Sequence, residues 1–294
     1  MKTVLSIIIS LLVPLAMSAQ QQDFDKVVIK SQKISETVYM LEGMGGNIGV
    51  CAGPDGVFII DDQFAPLTEK IKASIAEISD KPVQFVINTH FHFDHAGGNE
   101  NFGKGGSVIV AHHNARKRLE EDQDVMENDQ EATSPAGLPK ITFGGAMTFH
   151  YNGETVDLYH KGPAHTDGDV IIHFKESNII HGGDVFVRYG LPFIDVDNGG
   201  NVDGMISFIE ALLSLCNDET KIIPGHGAVA SKRDIEEFLQ MIKTIRERIK
   251  ALADKGKSYE DILKKKDDVL KGYEDNGVGA GRFIKSVYEG VKRG

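Results

Sequence analysis

The sequence predicts an α/β (α+β) fold in which two β-sheets pack face to face with helices outside. Two observations carry this reading. Short β-rich runs punctuated by glycine or polar turns are followed by helical patterns, and the same series then occurs again. The 294 residues contain no low-complexity linker and no clean boundary between the two series, so both are expected to share one layered body.

In the first series, residues 27–29, 38–41, 48–51 and 57–60 read as strands. Ile71, Ile75 and Ile78 then recur at helical spacing within residues 68–78. The nearly continuous apolar run 83–87 fits a strand buried on both faces, and 108–111 repeats it. A charged helix is expected over 113–122, and 123–140 reads as a polar connection ending in a Pro/Gly loop. In the second series, strands are expected over 148–151, 156–159, 170–174, 179–181 and 221–223, with an amphipathic helix over 202–215. Ile235, Phe238, Ile242, Ile245 and Ile249 line one face of a long helix over 235–252. Ser258 and Asp261 form a capping box that opens a helix over 258–270, and a last helix is expected over 282–291.

Hydrophobic residues make up 41% and charged residues 26%, ordinary proportions that exclude disordered, collagen-like and multi-span membrane chains. Lys and Arg number 32 against 43 Asp and Glu, a net charge of -11. That balance argues against a nucleic-acid partner, which requires a basic footprint, and against an anionic membrane surface. A small-molecule partner is favoured. Lys2 precedes an apolar run over 4–17, then the small residues Ser18 and Ala19 and the polar run Gln20-Gln21-Gln22. This is the pattern of a signal peptide over residues 1–19, too short to span a bilayer well, so a periplasmic or secreted location is expected. An uncleaved N-terminal anchor is the alternative. Cys51 and Cys216 both sit in apolar surroundings, which favours free thiols over a disulfide, and neither has Cys-x-x-Cys spacing.

The chemistry concentrates in His90-Phe91-His92-Phe93-Asp94-His95, directly after the buried run 83–87. His90 and His92 lie two apart, so in extended chain their imidazoles point the same way. Three imidazoles and a carboxylate within six residues suit Zn²⁺, whereas as core packing they would cost heavily. Three later segments add His165 in a turn before a strand, Asp184 just past the end of a strand, and His226 in the turn Pro224-Gly225-His226-Gly227. Each stands at a strand–loop edge, where functional side chains concentrate on rigid scaffolds.

In this order, His-x-His-x-Asp-His, a turn-borne His, Gly-Asp after an apolar strand and Pro-Gly-His-Gly, the chain resembles the metallo-β-lactamase superfamily. The resemblance runs from about Val27 to His226 and implies a four-layer αββα sandwich; the domain is expected over residues 20–254, with a C-terminal helical extension over 255–294 packed on it. It implies two Zn²⁺ per chain, one on His90, His92 and His165 and one on Asp94, His95 and His226, with Asp184 bridging. Asp61, which ends the run 57–60, is implied as support for the ligands. The implied activity is metal-dependent hydrolysis, in which zinc-activated hydroxide attacks a carbonyl and Asp94 orients the nucleophile or carries a proton.

The substrate is less legible. The resemblance places Asp184 where the best-known β-lactam hydrolases of the family carry Cys or Ser. Cleavage of a cyclic amide or ester, a β-lactam or a lactone, is expected first. A thioester hydrolase of glyoxalase-II-like type and a zinc-binding protein without turnover are the alternatives. Arg188 and Tyr189 are candidates to bind a substrate carboxylate or an oxyanion, and Asn47 belongs to the turn 44–47, read as a flap over the site or a plain hairpin turn. The other histidines read as structural or solvated, with His181 the one in doubt.

Overall fold

Alternation within single strands decides the layering of the computed structural model, which describes residues 23–293. In β4 (Gly56–Ile60), Val57 and Ile59 face one apolar layer while Phe58 and Ile60 face another. β13 (Ile179–His181) does the same with Ile179 and Ile180. Successive side chains of a strand point to opposite faces, so a wholly buried strand must be covered on both sides.

The first sheet runs in the order β1 (Lys30–Lys33), β2 (Val38–Glu42), β3 (Ile48–Gly53), β4, β5 (Val83–Ile87), β6 (Val108–His112) and β9 (Ile141–Phe143), parallel from β4 onward. Between β6 and β9 lies a separate hairpin, β7 (Gln123–Val125) and β8 (Asn128–Gln130). The second sheet runs β10 (Ala146–Tyr151), β11 (Glu154–Tyr159), β12 (Ile171–Phe174), β13, β14 (Lys221–Ile223) and β15 (Ala230–Ser231), with β13 and β14 parallel.

Met40, Phe58, Ile87 and Val110 of the first sheet meet Val156, Leu158, Ile172 and Phe174 of the second in the layer between the sheets. The outer face of the first sheet packs on α1 (Thr68–Ala76) and α3 (Asn99–Lys104) through Ile71, Ile75 and Phe102. The outer face of the second packs on α5 (Val202–Leu215) and α6 (Lys232–Ala253). The result is the α/β sandwich anticipated above, four layers deep.

The C-terminal residues join the same outer layer. Ile262 of α7 (Tyr259–Leu263), Val269 and the Phe283, Ile284 and Val287 of α9 (Ala280–Arg293) all belong to one cluster with α5 and α6. Between α7 and α9 a single turn, Lys266–Val269, replaces the continuous helix expected over 258–270. Lys264 to Asp268 are charged and offer nothing to bury, so packing holds only the two ends.

Other boundaries also moved. The first strand is 30–33 rather than 27–29; all four of its side chains are exposed, and it is held to β2 by backbone pairing. The stretch 123–140, read as loop, contains the β7–β8 hairpin. The leader expected over 1–19 lies outside the described residues. Among the described residues no helix is long and apolar enough to cross a membrane. Cys51 and Cys216 are free, and burial pushes the Cys51 thiol up to about 12.

Candidate metal centre

Four loops at the carboxyl ends of β4, β5, β13 and β14 converge, joined by the loop between β11 and β12. They carry Asp61, His90 to His95, Asp184, His226 and His165 respectively. The chain between β5 and the short helix α2 (Phe93–Ala96) is extended at His92 (φ -59°, ψ 145°), which turns His90 and His92 toward the same space. Ligand atoms of His90, His92 and His165 lie within 4.8 Å of one another, as do those of Asp94, His95 and His226, and those of His90, His95 and Asp184. The Asp184 carboxylate stands between the first two groups, 3.2 Å from His95, 3.5 Å from His226 and 3.8 Å from His165. The structure thus brings together all seven residues singled out in the sequence.

Hydrogen bonds on the outer side of each ring fix which nitrogen faces inward. Nδ1 of His95 donates to Asp61 at 2.7 Å, and Nδ1 of His165 donates to the carbonyl of Phe193 at 2.8 Å. Nε2 of His92 donates to Asp195 at 2.8 Å. The inward nitrogens of His92 and His165 therefore present lone pairs to each other across 2.9 Å. Nε2 of His90 and Oδ1 of Asp184 are buried and make no hydrogen bond. Buried acceptors facing one another are costly unless something positive lies among them. This donor set, imidazoles with carboxylates, suits Zn²⁺.

Electrostatics agree. Burial, reinforced by the neighbouring imidazoles of His95, His165 and His92, holds His90 well below the usual histidine range. Burial and His92 lower His165 to about 4, so both rings are neutral. At His226 and His95, burial opposes protonation, but the Asp184 and Asp94 carboxylates outweigh it. His226 is raised to about 9 and His95 well above its usual value. Protons on these two rings thus balance the two carboxylates when no cation does so.

Asp94 and His226 have side chains 24% and 22% exposed, while His90, His92, His95 and His165 are almost wholly buried. A small molecule therefore reaches the centre from the side of the Asp94–His95–His226 group.

The surrounding residues brace the ligands and the loops that carry them. Asp61 accepts from the Thr89 backbone N–H and hydroxyl as well as from His95, with a left-handed backbone (φ 62°). Asn47 lies beside the turn that carries His226. Its amide donates to the carbonyls of Pro224 and Gly227, bracing the turn that carries His226. Both amide hydrogens of Asn47 are used in this way. The 44–47 turn connects β2 to β3 and also lies against the centre: the Gly46 N–H donates to the carbonyl of Asp94. A Cβ on Gly46 would lie 2.1 Å from the His95 ring, and one on Gly225 would lie 1.9 Å from Asp184.

Arg188 lies in the loop that follows Asp184. Its guanidinium donates to Asp234 at 3.0 Å and to the carbonyls of Ala228 and Val229. Tyr189 does face the centre, with its ring 5.5 Å from that of His226. Burial and the Asp184 and Asp94 carboxylates raise its phenol well above the usual range, while the Phe193 N–H donates to the phenol oxygen. The phenol is therefore neutral. His181 is structural, buried with Nε2 on the Asn47 carbonyl at 3.2 Å. Sequence reasoning missed Asp195, Thr89 and Asp169, whose carboxylate accepts from both Thr166 groups beside His165. The only signal for Asp195 is a carboxylate set between the buried apolar residues Ile194 and Val196.

A four-layer α/β sandwich with a His/Asp cluster at the carboxyl ends of its strands defines a protein built around a candidate metal centre. The metallo-beta-lactamase superfamily profile matches residues 41–230, and the chain belongs to that superfamily. Among curated proteins it is similar to a hydroxyacylglutathione hydrolase of Polaromonas sp. strain JS666, 27% identical over 55% of this chain and 55% of that protein. It is also similar to a hydroxyacylglutathione hydrolase of Pelagibacter ubique, 24% identical over 60% of this chain and 70% of that protein. The chain thus spans about half the length of the first of these relatives. Among solved structures, a metallo-beta-lactamase from Pontibacter korlensis aligns with a TM-score of 0.62 at 20% identity, over 73% of this chain and 99% of that one. The DIM-1 metallo-beta-lactamase aligns at 0.61 and 18%, over 74% and 99%. These two likenesses concern the fold.

Proposed function

We propose that the centre holds two zinc ions and that the chain hydrolyses an ester-type acyl bond, in a lactone or a thioester, in preference to a β-lactam. His90, His92 and His165 would hold one ion and Asp94, His95 and His226 the other, with Asp184 shared. Bound zinc supplies Lewis acidity and water that ionises near neutral pH.

The chain's own residues supply the rest. Asp94 is held ionised because His95 and His226 outweigh the effect of burial, and it lies on the open side. There it accepts the proton of the attacking water and delivers it to the leaving oxygen or sulfur as the acyl bond breaks. Tyr189, neutral and held by Phe193, donates its hydrogen bond to the carbonyl oxygen as charge develops there.

The observation that carries the ester-type preference is the placement of Arg188. β-Lactam antibiotics carry a carboxylate beside the ring, and the cation read from the sequence as its partner is spent on Asp234. The named hydroxyacylglutathione hydrolases support the thioester arm, the alternative read from the sequence. The N-terminal pattern supports action outside the cytoplasm.

Purified protein assayed against a hydroxyacylglutathione, an acyl-homoserine lactone and a chromogenic cephalosporin tests the reading. Chelator-sensitive turnover of the thioester or lactone, exceeding that of the cephalosporin, is expected. A fast cephalosporin with both esters silent would restore the β-lactam reading. Silence on all three by a zinc-loaded sample would favour a binding protein.

A further inference from the structure

One short segment grips both imidazoles of the His90–His92–His165 group. The Phe193 carbonyl accepts from His165 Nδ1, and Asp195 accepts from His92 Nε2. The Phe193 ring packs on both, 5.8 Å from His92 and 5.7 Å from His165. The Asp195 N–H donates to the His165 carbonyl at 2.8 Å. Asp195 is 3% exposed, and Asn198 holds its carboxylate through its backbone N–H at 3.2 Å and its amide at 2.9 Å.

The segment is in turn held by the C-terminal residues. The buried Ser286 of α9 donates its hydroxyl to the Ile194 carbonyl at 2.9 Å. Leu191 and Gly277 form a parallel bridge, with Leu191 N–H on Asn276 and Val278 N–H on Leu191. A Cβ on Gly277 would lie 2.4 Å from the Leu191 carbonyl oxygen, so the two stretches are in close contact.

We infer that Asp195 is a positioning residue for the His90–His92–His165 group, locking His92 with its hydrogen on Nε2, and that Ser286 and the Gly277 bridge hold Asp195 in place. The physical reason is tautomer control. A carboxylate only accepts, so its bond to Nε2 leaves the Nδ1 lone pair facing the cation position. Without that bond His92 can place its hydrogen on Nδ1, where it points at His165. The C-terminal extension, lying beyond residues 41–230, thereby becomes part of the metal centre's support.

The inference rests on the two-zinc reading, and the test separates the two. The full chain is loaded with Co²⁺, and its two affinities are measured by chelator competition while the ligand-field spectrum is recorded. His165→Ala serves as the reference that marks the cation of this group. Asp195→Ala is expected to weaken that cation about 10- to 100-fold and change its spectrum, while the other stays within about twofold. Asp195→Asn and Ser286→Ala should weaken the same cation by less, and they carry the test if Asp195→Ala does not fold. Equal weakening of both cations, or no change in either, would overturn the inference. A wild-type chain that takes up fewer than two cations would instead overturn the two-zinc reading.

Discussion

The Asp61 carboxylate meets Nδ1 of His95 at 2.7 Å, and this bond aims Nε2 of His95 at Asp184, Asp94 and His226. Asp61 reaches that position with a left-handed backbone while also accepting two hydrogen bonds from Thr89. A non-glycine residue in that region costs of order 1–3 kcal/mol and persists where the surroundings enforce it. Asp61→Asn keeps the shape but removes the charge. It is expected to lower the affinity of the Asp94–His95–His226 group for zinc by about 10- to 100-fold, read by chelator competition.

Gly46 gives a steric test of the same ring. Its Cβ would fall within 2.1 Å of His95, and the Asp94 carbonyl fixes the Gly46 N–H, so neither side has room to move. Gly46→Ala is expected to displace His95, with zinc content falling by about one ion per chain and turnover falling at least about 100-fold. Elemental analysis beside a kinetic assay reads both; unchanged zinc content would show that the turn is free to shift.

Tyr189 carries a prediction about rate. Tyr189→Phe keeps the ring against His226 and removes only the donor. The expected outcome is a loss of about 10²–10³ in kcat, little change in KM and full zinc content. An unchanged kcat from a zinc-replete variant would assign the carbonyl oxygen to the cations alone.

His112 provides a pH-dependent marker away from the centre. It caps α4 (His113–Leu119) by accepting the Asn114 N–H on Nδ1, while Nε2 donates to the Gly144 carbonyl. Burial, then the stacked His160 ring at 3.8 Å, lowers it to about 4. Between about pH 6.5 and 4 the unfolded chain therefore binds a proton that the folded chain refuses. Stability is full above that window and is lost as pH falls through it, by at most about 3 kcal/mol from this residue. In chelator-stripped protein, His112→Asn keeps a capping oxygen without titrating and is expected to flatten the loss. Urea unfolding at pH 7, 5.5 and 4.5 measures the difference.

The reach of the sequence follows from how local each signal is. His90, His92, Asp94 and His95 fall within six residues, so their shared purpose shows before any fold is known. Asp184 and His226 look ordinary one at a time and gain meaning from their order along the chain. Asp195 meets His92 across 103 positions, and its one local mark, a carboxylate between Ile194 and Val196, does not say which residue it meets. Arg188 illustrates the converse. Its place in the chain suggests a substrate contact, and its pairing with Asp234, 46 positions on, has no local signal. Among the strands, the apolar run Val57-Phe58-Ile59-Ile60 announces β4, while β1 has the sequence Lys-Ser-Gln-Lys and is held by backbone pairing to the edge of β2.

Zinc titration of the chelator-stripped chain tests the central claim most directly, with hydrolysis of a thioester or lactone followed at each addition. The account predicts no turnover without metal and activity that rises until two zinc ions are bound per chain. Turnover that persists in fully stripped protein, or that saturates at one ion, would contradict it.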